Sequence, residues 1–191
     1  MQKFLNSFKL VDIENVKSTA LGITKNSQNS LESAKLLYHF VRDNIDHSAD
    51  INENRITRFA SEVLQHKHGI CFAKSILLVA LLRASNIPAG FGYQKLILDD
   101  EKYPWLVLHG YVFAYIDSLS KWVKLDARGN KAGVDAQFST AEPKLAFAIR
   151  PERGEVDENI NHSYILTNVE SYLMTCKSRE NWQNSLPRDF K

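Results

Sequence analysis

The spacing of apolar residues in the first part of the chain predicts two amphipathic helices. One covers residues near 13–24. The other begins at Asn29 or Ser30, either of which suits an N-cap, and Glu32 stands three residues after Asn29, where a capping box needs it. Apolar residues then recur at three- and four-residue steps for about four turns: they are Leu31, Ala34, Tyr38, Val41 and Ile45. The polar residues 46–54 predict a loop.

The residues on either side of Gly69 predict a short helix followed by a buried one. Residues 59–65 suit a short helix with Val63 and Leu64 facing inward. Residues 71–83 are apolar on almost every side, which is typical of a helix surrounded by protein. That helix ends before Pro88, because proline cannot continue the helical hydrogen bonds.

Beyond Pro88 the pattern changes from helical to extended. It predicts strands over residues 91–98, 106–116, 121–127 and 145–149, with a loop at 128–144. A charged connection at 151–161 leads to a last helix over about 164–179, whose apolar stripe is Ile165, Val169, Tyr172 and Cys176. Helices followed by antiparallel strands are typical of the α+β class.

The composition is that of an ordinary globular domain. Hydrophobic residues make up 44% and charged residues 24% of the 191 residues, and this length suits one domain over residues 1–191. Lysine and arginine number 24 and aspartate and glutamate 22, which leaves a net charge of +2. The basic residues form no run, so we expect no nucleic-acid partner.

Membrane insertion and disulfide bonding are not indicated by the sequence. The longest apolar run, residues 76–82, has seven residues, far fewer than the ~20 that span a bilayer. The first residues lack the apolar stretch of a signal peptide. We therefore expect a cytoplasmic protein with no membrane partner, in which the two cysteines, Cys71 and Cys176, are free thiols.

Cys71 has the setting of a nucleophile. It follows Gly69 by two residues and opens the predicted buried helix. The N-terminus of a helix carries partial positive charge and unpaired N–H groups, which favour a thiolate and stabilise an oxyanion. Cys176, on the apolar stripe of the last helix, is expected to be structural.

A predicted hairpin brings a histidine and an aspartate together. If Ile116 lies opposite Lys121, then Asp126 is the diagonal neighbour of His109 on one face, close enough for a carboxylate to reach an imidazole N–H. A shift of one residue would separate them. The alternation supports the first register, because it leaves one apolar face: Leu106, Leu108, Val112, Ala114, Ile116, Val123 and Leu125. Cys71, His109 and Asp126 thus form a candidate nucleophile, base and orienting acid.

These segments resemble the motifs of the transglutaminase-like superfamily. Four segments follow one another in the family's order. They are the stretch at 60–75 around Cys71, the letters LLRA and IPA within 81–89, the strand with His109, and the pattern W-x-x-x-D that ends at Asp126. The resemblance covers about residues 29–130. It implies a papain-like α+β core, in which a helical N-terminal half packs on an antiparallel sheet. It also implies amide or ester hydrolysis, or acyl transfer through a thioester, without a metal or other cofactor, on a peptide, protein or small amide or ester.

The chain departs from the family pattern at three positions. Tyr111 stands where members often have tryptophan, Gly90 replaces the usual arginine after IPA, and Phe72 replaces the tryptophan of animal enzymes. These changes argue against protein crosslinking and leave open a catalytically inactive binding module. A coenzyme-dependent acyltransferase is a further alternative, although the Arg-Gly-Gly-Arg that precedes the cysteine in arylamine N-acetyltransferases is absent here.

Two features near Cys71 allow other interpretations. Gln65 lies six residues before Cys71, as the oxyanion glutamine does in papain-like proteases, so it is an oxyanion candidate. His66 and His68, with Cys71 and more distantly His47, suggest a metal site, but their spacing is not that of zinc sites. Trp105 and Tyr111 are candidates to line an acyl pocket.

Overall fold

The helices of the protein form where apolar residues recur at helical spacing. The structure, a computed structural model, describes residues 1–178 and 185–191. In these residues the α-helices are α1 (Ile13–Thr24), α2 (Ser30–Asn44), α3 (Ala60–His66), α4 (Cys71–Ala84) and α5 (Thr167–Thr175). The first helix has the predicted bounds, and α2 to α4 lie within one residue or so of the predicted positions.

The start of α2 shows the capping interactions that its sequence predicts. The Asn29 side chain accepts a hydrogen bond from the Glu32 N–H at 2.9 Å. The Glu32 carboxylate in turn accepts from the Gln28 N–H at 2.8 Å, one residue earlier than in the usual box. These contacts fix the direction in which the chain enters the helical half.

Helix α4 is buried along its whole length. All fourteen of its residues are buried, including the polar Lys74 and Arg83. It contacts α1, α2 and α3 as well as the two strands that follow it in the chain. Because α4 is the axis around which the other elements pack, the position of its first residue, Cys71, is fixed by the core.

The sheet is antiparallel and has the strand order β5-β4-β3-β6. Its strands are β3 (Ala89–Leu96), β4 (Val107–Ile116), β5 (Lys121–Leu125) and β6 (Val156–Asp157). The hairpin of β4 and β5 has the predicted register, with Ile116 opposite Lys121 and Val112 opposite Leu125. Helices packed on an antiparallel sheet confirm the α+β class.

A second, very short pairing supports the residues before Cys71. Within the predicted loop 46–54, β1 (Asp46–His47) pairs in parallel with β2 (His68–Gly69). The pairing places His47 opposite Gly69. A two-residue polar strand has no alternation long enough to be recognised in the sequence.

Three predictions for the second half need correction. Residues 145–149 form no strand, because the Ala146 N–H bonds the Asp126 carboxylate instead of a neighbouring strand. The connection at 151–161 contains β6, and the last helix is shorter than predicted. Of its predicted range, Arg179 lies outside the described residues. Of its predicted stripe, Val169 and Tyr172 are buried residues of α5, whereas Ile165 and Cys176 are buried but lie outside the helix.

In the described part of the chain, no helix has the length and apolar character needed to cross a membrane.

Candidate active site

Cys71 is the first residue of α4 and is buried, with 8% of its surface exposed. The preceding Ile70 caps the helix without a side-chain hydrogen bond. The first N–H groups of a helix have no acceptor within the helix. The sulfur therefore lies beside the positive end of the α4 dipole, as the sequence predicts.

His109 and Asp126 meet inside the protein. The His109 Nε2 lies 2.8 Å from an Asp126 carboxylate oxygen, and each residue is only 1% exposed. Asp126 also accepts hydrogen bonds from the N–H groups of Arg128 at 3.0 Å and Ala146 at 2.9 Å. Three donors thus hold this carboxylate in one orientation, and it in turn fixes the imidazole.

The two groups stabilise each other's charged forms. Burial on its own lowers the pKa of His109, but the charge and hydrogen bond of Asp126 and the interaction with the Cys71 sulfur outweigh it and raise this pKa to about 10. Burial on its own raises the pKa of Asp126, but the charge of His109 and the three hydrogen bonds lower it. At neutral pH the pair is therefore imidazolium and carboxylate.

The glycine after His109 lets α4 approach β4. A Cβ on Gly110 would lie 2.8 Å from the Phe72 ring, which is closer than real side chains pack. With glycine there, Phe72 lies against the strand, and the neighbouring Cys71 comes within hydrogen-bonding reach of His109. Because Nε2 of His109 bonds Asp126, Nδ1 is the nitrogen available to the sulfur.

These side chains border a cavity of about 410 Å³. Its walls are partly apolar and partly charged. Besides Cys71 and His109 they include residues from six parts of the chain: His47, Ala49, Ile70, Leu98, Asp99, Tyr103, Trp105, Val107, Leu108, Arg128, Lys131, Gly133, Val134, Phe147 and Leu186.

The other sequence candidates lie in different places. Trp105 borders the cavity, as expected for an acyl pocket. Tyr111 lies away from it, with its ring over Gly92 and its hydroxyl donating to Asp157 at 2.8 Å. Gln65 is exposed on α3 and is not among the cavity residues, so the structure does not bring it to Cys71.

Two cavity residues carry polar atoms that sequence reasoning missed. The Trp105 Nε1 and the His47 Nδ1 are buried and have no hydrogen-bond partner in the described residues. Burial and the nearby positive charge of Arg128 lower the pKa of His47 well below 6.5, so this imidazole is neutral. Sequence reasoning placed His47 only in the suggested metal site and not in the wall of a cavity, because β1 is only two residues long.

A salt bridge closes the cavity wall beside His47. Arg128 donates to both oxygens of Asp50, at 2.6 and 2.9 Å, and Lys131 reaches the same carboxylate at 2.7 Å. These contacts lower the pKa of Asp50, although burial alone would raise it. The bridge fixes residues 50 and 128 on the two sides of the site.

The histidines near Cys71 have separate partners. His68 shares a hydrogen bond of 3.0 Å with Ser48, and His66 lies 3.3 Å from an Arg55 nitrogen. Over residues 1–178 and 185–191, no three His, Cys, Asp or Glu side chains are grouped as metal ligands.

The departures from the family pattern have local structural causes. A Cβ on Gly90 would lie 2.6 Å from the His162 carbonyl oxygen, so no side chain fits there. Tyr111 covers Gly92, and Phe72 packs against Gly110. Of these positions, neither Gly90 nor Tyr111 borders the cavity.

Comparison with known proteins gives a family and a fold. The model of the transglutaminase-like superfamily matches residues 17–127. No curated protein matches the chain. A candidate cysteine protease of Cytophaga hutchinsonii has a similar fold, with a TM-score of 0.55 and 20% identity over 65% of this chain and 40% of its own.

Two further solved structures are similar at lower scores. A candidate protease of Parabacteroides distasonis has a TM-score of 0.46 and 18% identity over 71% of this chain and 26% of its own. A protein named as a TGase has a TM-score of 0.45 and 17% identity over 94% of this chain and 50% of its own. The chain thus spans half or less of the length of all three structures.

Proposed function

The chain belongs to the transglutaminase-like superfamily, and from this premise we propose that it is a cysteine hydrolase. Its substrate is an amide or ester, and the acyl group passes through a thioester on Cys71. The observation that carries the proposal is the buried hydrogen bond between His109 and Asp126 at the wall of the cavity that holds Cys71. Cys71 is the nucleophile, His109 the base and Asp126 the residue that orients it.

The reaction has two balanced steps. In the first, His109 holds the thiol proton while the Cys71 sulfur forms a bond to the acyl carbon and the carbonyl electron pair moves to oxygen. The tetrahedral intermediate collapses, the bond to the leaving nitrogen or oxygen breaks, and His109 donates its proton to the leaving group. In the second step water loses a proton to His109 and attacks the thioester carbon, the carbon–sulfur bond breaks as His109 returns the proton to the Cys71 sulfur, and a carboxylic acid is released.

Two kinds of N–H group are proposed to stabilise the oxyanion. The first are the backbone groups at the start of α4, which carry the positive end of the helix dipole. The second is the indole N–H of Trp105, a buried donor without a partner in the described residues and part of the same cavity wall. This residue takes the role that the sequence assigned to Gln65.

Water is the proposed acyl acceptor. Among the described residues that line the cavity, Asp99 is the acidic one. The Asp126 carboxylate lies behind His109, outside the cavity wall, and is occupied by its three donors. This leaves little to bind a specific amine. The inactive alternative rested on Gly90 and Tyr111, and both lie outside the cavity, which supports an active site instead.

Alkylation of Cys71 by iodoacetamide tests the activated pair. We expect Cys71, followed by mass spectrometry at pH 6, to react at least tenfold faster than a model thiol. His109→Ala is expected to remove that difference, and the surface variant His39→Ala to keep it. A wild-type rate equal to that of the model thiol, unchanged by His109→Ala, would rule out the proposal.

Acyl turnover is the second readout. Ester and amide substrates with chromogenic leaving groups are expected to be hydrolysed by the wild type and by Cys176→Ser. Cys71→Ser is expected to lose turnover. Equal turnover in Cys71→Ser would show that another residue carries the chemistry.

A further inference from the structure

Residues 185–191 contribute one residue, Leu186, to the wall of the cavity. Leu186 is 7% exposed and borders the cavity together with Cys71 and His109. The following Pro187 is also buried, and its carbonyl oxygen accepts a hydrogen bond of 2.7 Å from the Leu108 N–H. Leu108 is the residue directly before His109. This segment therefore contacts the strand that carries the proposed base.

The contact uses an open edge of β4. Strand β5 ends at Leu125, opposite Val112, so the part of β4 before Val112 has no partner from β5. The N–H groups of odd-numbered β4 residues such as Tyr115 point to the β3 side, where Tyr115 bonds the Pro88 carbonyl. The N–H of Leu108 therefore points to the side that β5 leaves open, and Pro187 pairs there as an added strand would.

Polypeptides are the usual occupants of such an edge. An extended peptide adds main-chain hydrogen bonds to a free strand edge and places a side chain in an adjacent pocket. Leu186 is that side chain here, and the nearby wall is aliphatic, with Ile70, Val107 and Leu108. A coenzyme thioester would need no strand-like backbone at this position.

Beyond Pro187 the segment packs through Phe190, which is partly buried against the core with the Lys95 ammonium over its ring, and its other contacts lie at the surface. The Arg188 guanidinium lies 5.2 Å from the Trp105 ring centre, and Asp189 lies 3.4 Å from the Lys95 ammonium with 61% of its side chain exposed. The Asp189 and Lys191 carbonyls accept from Asn168, at 2.6 and 3.2 Å. Exposed ion pairs contribute little to stability, so a competing peptide with a similar apolar side chain can displace the segment.

We propose that residues 185–191 occupy the channel of the acyl donor and inhibit the protein, and that the donor is a polypeptide with an aliphatic side chain in the place of Leu186. The inference rests on the proposed function for the identity of the channel. The inhibition itself concerns access to Cys71 and is measurable without turnover.

Substitutions in the segment test the inhibition. Leu186→Asp puts a charge against the aliphatic wall, and we expect alkylation of Cys71 by a bulky maleimide to rise at least tenfold. Asp189→Lys replaces the exposed carboxylate that pairs with Lys95 and Lys191 by a positive charge, and we expect a rise of about two- to threefold, since two exposed ion pairs are lost. Lys25→Ala, at an exposed position outside the segment, is the control and is expected to change nothing.

Addition of the segment as a free peptide tests the same binding position. The heptapeptide Ser-Leu-Pro-Arg-Asp-Phe-Lys is expected to slow alkylation of the Leu186→Asp protein, and the same peptide with aspartate for leucine is expected to have no effect. Unchanged alkylation in Leu186→Asp and Asp189→Lys would overturn the inhibition. If Leu186→Asp does not fold, the inhibition is tested on the Asp189→Lys protein, with and without the added peptide.

Turnover separates this inference from the proposed function. Faster alkylation in Leu186→Asp with no hydrolysis by any variant would keep the inhibition and reject the hydrolase. If wild type and Leu186→Asp hydrolyse the substrate equally fast and are alkylated equally fast, the hydrolase is kept and the inhibition is rejected. The substrate class is tested with two peptide esters that carry leucine or aspartate at the position of Leu186. We expect kcat/KM to be at least tenfold higher for the leucine ester, and equal values would reject a polypeptide donor with an aliphatic side chain.

Discussion

The buried pair of His109 and Asp126 makes stability depend on pH in a defined direction. The pKa of His109 is raised from 6.5 to about 10, so its contribution is complete below pH 6.5 and is lost as the pH rises toward 10. The pKa of Asp126 is lowered from 3.8, so its contribution is present above pH 3.8 and is lost as the pH falls through its folded value. Both contributions are complete between about pH 4 and 6.5.

Substitution of the aspartate tests this dependence. Asp126→Asn leaves the buried imidazole without its anion, and we expect the free energy of unfolding at pH 6 to fall by about 3 kcal/mol. The deficit relative to wild type is expected to shrink between pH 6.5 and 10, as measured by urea unfolding. Asp117→Asn, at an exposed position, is the control and is expected to show no such dependence. A deficit that is constant with pH would contradict the assignment of charges.

Trp105 is expected to act on the oxyanion and not on the thiol. Trp105→Phe keeps an aromatic wall and removes the N–H, so we expect kcat for acyl turnover to fall about 10²- to 10³-fold. Alkylation by iodoacetamide passes through no oxyanion, so the rate of Cys71 alkylation is expected to stay within twofold of wild type. Equal losses in both assays would show that Trp105 instead positions Cys71.

The site requires helix α4 to lie close to strand β4. Gly110→Ala would place a methyl group 2.8 Å from the Phe72 ring and push the first turn of α4 away from His109. We expect alkylation of Cys71 to slow at least tenfold and the free energy of unfolding to fall by about 1–3 kcal/mol. Gly22→Ala is a matched control in α1, where nothing lies within 4 Å, and it is expected to stabilise by about 0.5–1 kcal/mol. A Gly110→Ala protein with wild-type alkylation would show that this contact does not set the geometry.

Elements that depend on neighbouring residues were predictable from the sequence. The cap at Asn29 and the register of β4 with β5 follow from residues close along the chain, and both are confirmed. The pairing of His109 with Asp126 follows from that register. The contact of Cys71 with His109 depends on tertiary packing, so the sequence suggested it only through the family resemblance.

The wrong strand at 145–149 shows where a short apolar run misleads. The run, Leu145 to Ile149, has no polar residue. Its Phe147 ring stands edge-on to the His109 ring at 5.0 Å, and the Ala146 N–H bonds Asp126. The apolar residues therefore belong to a loop that packs beside the site, and a short apolar run alone does not distinguish such a loop from a strand.

On the scale of the whole molecule, Arg83 joins parts of the chain that are far apart in sequence. It is buried near the end of α4, and its guanidinium donates to the carbonyls of Asn6, Ala89 and Ser163. Two of these bonds are 2.7–2.8 Å long. Burial lowers its pKa to about 10, so the side chain stays charged at neutral pH. The Arg83 guanidinium thereby holds together three segments: the N-terminal residues, the start of β3 and the segment before α5.

Removal of this group is expected to lower stability without changing the site. Arg83→Leu leaves buried carbonyl oxygens without donors, and bonds from a charged group contribute about 1.5–3 kcal/mol each, so we expect the free energy of unfolding to fall by at least about 3 kcal/mol. Arg153→Leu, at an exposed position on the surface, is expected to change it by less than about 0.5 kcal/mol. Because Arg83 lies at the far end of α4 from Cys71, alkylation of Cys71 below the unfolding transition is expected to match wild type. A slower Cys71 in a fully folded Arg83→Leu protein would mean that the two ends of α4 are coupled, and the site would then depend on the whole helix and not on its first turn alone.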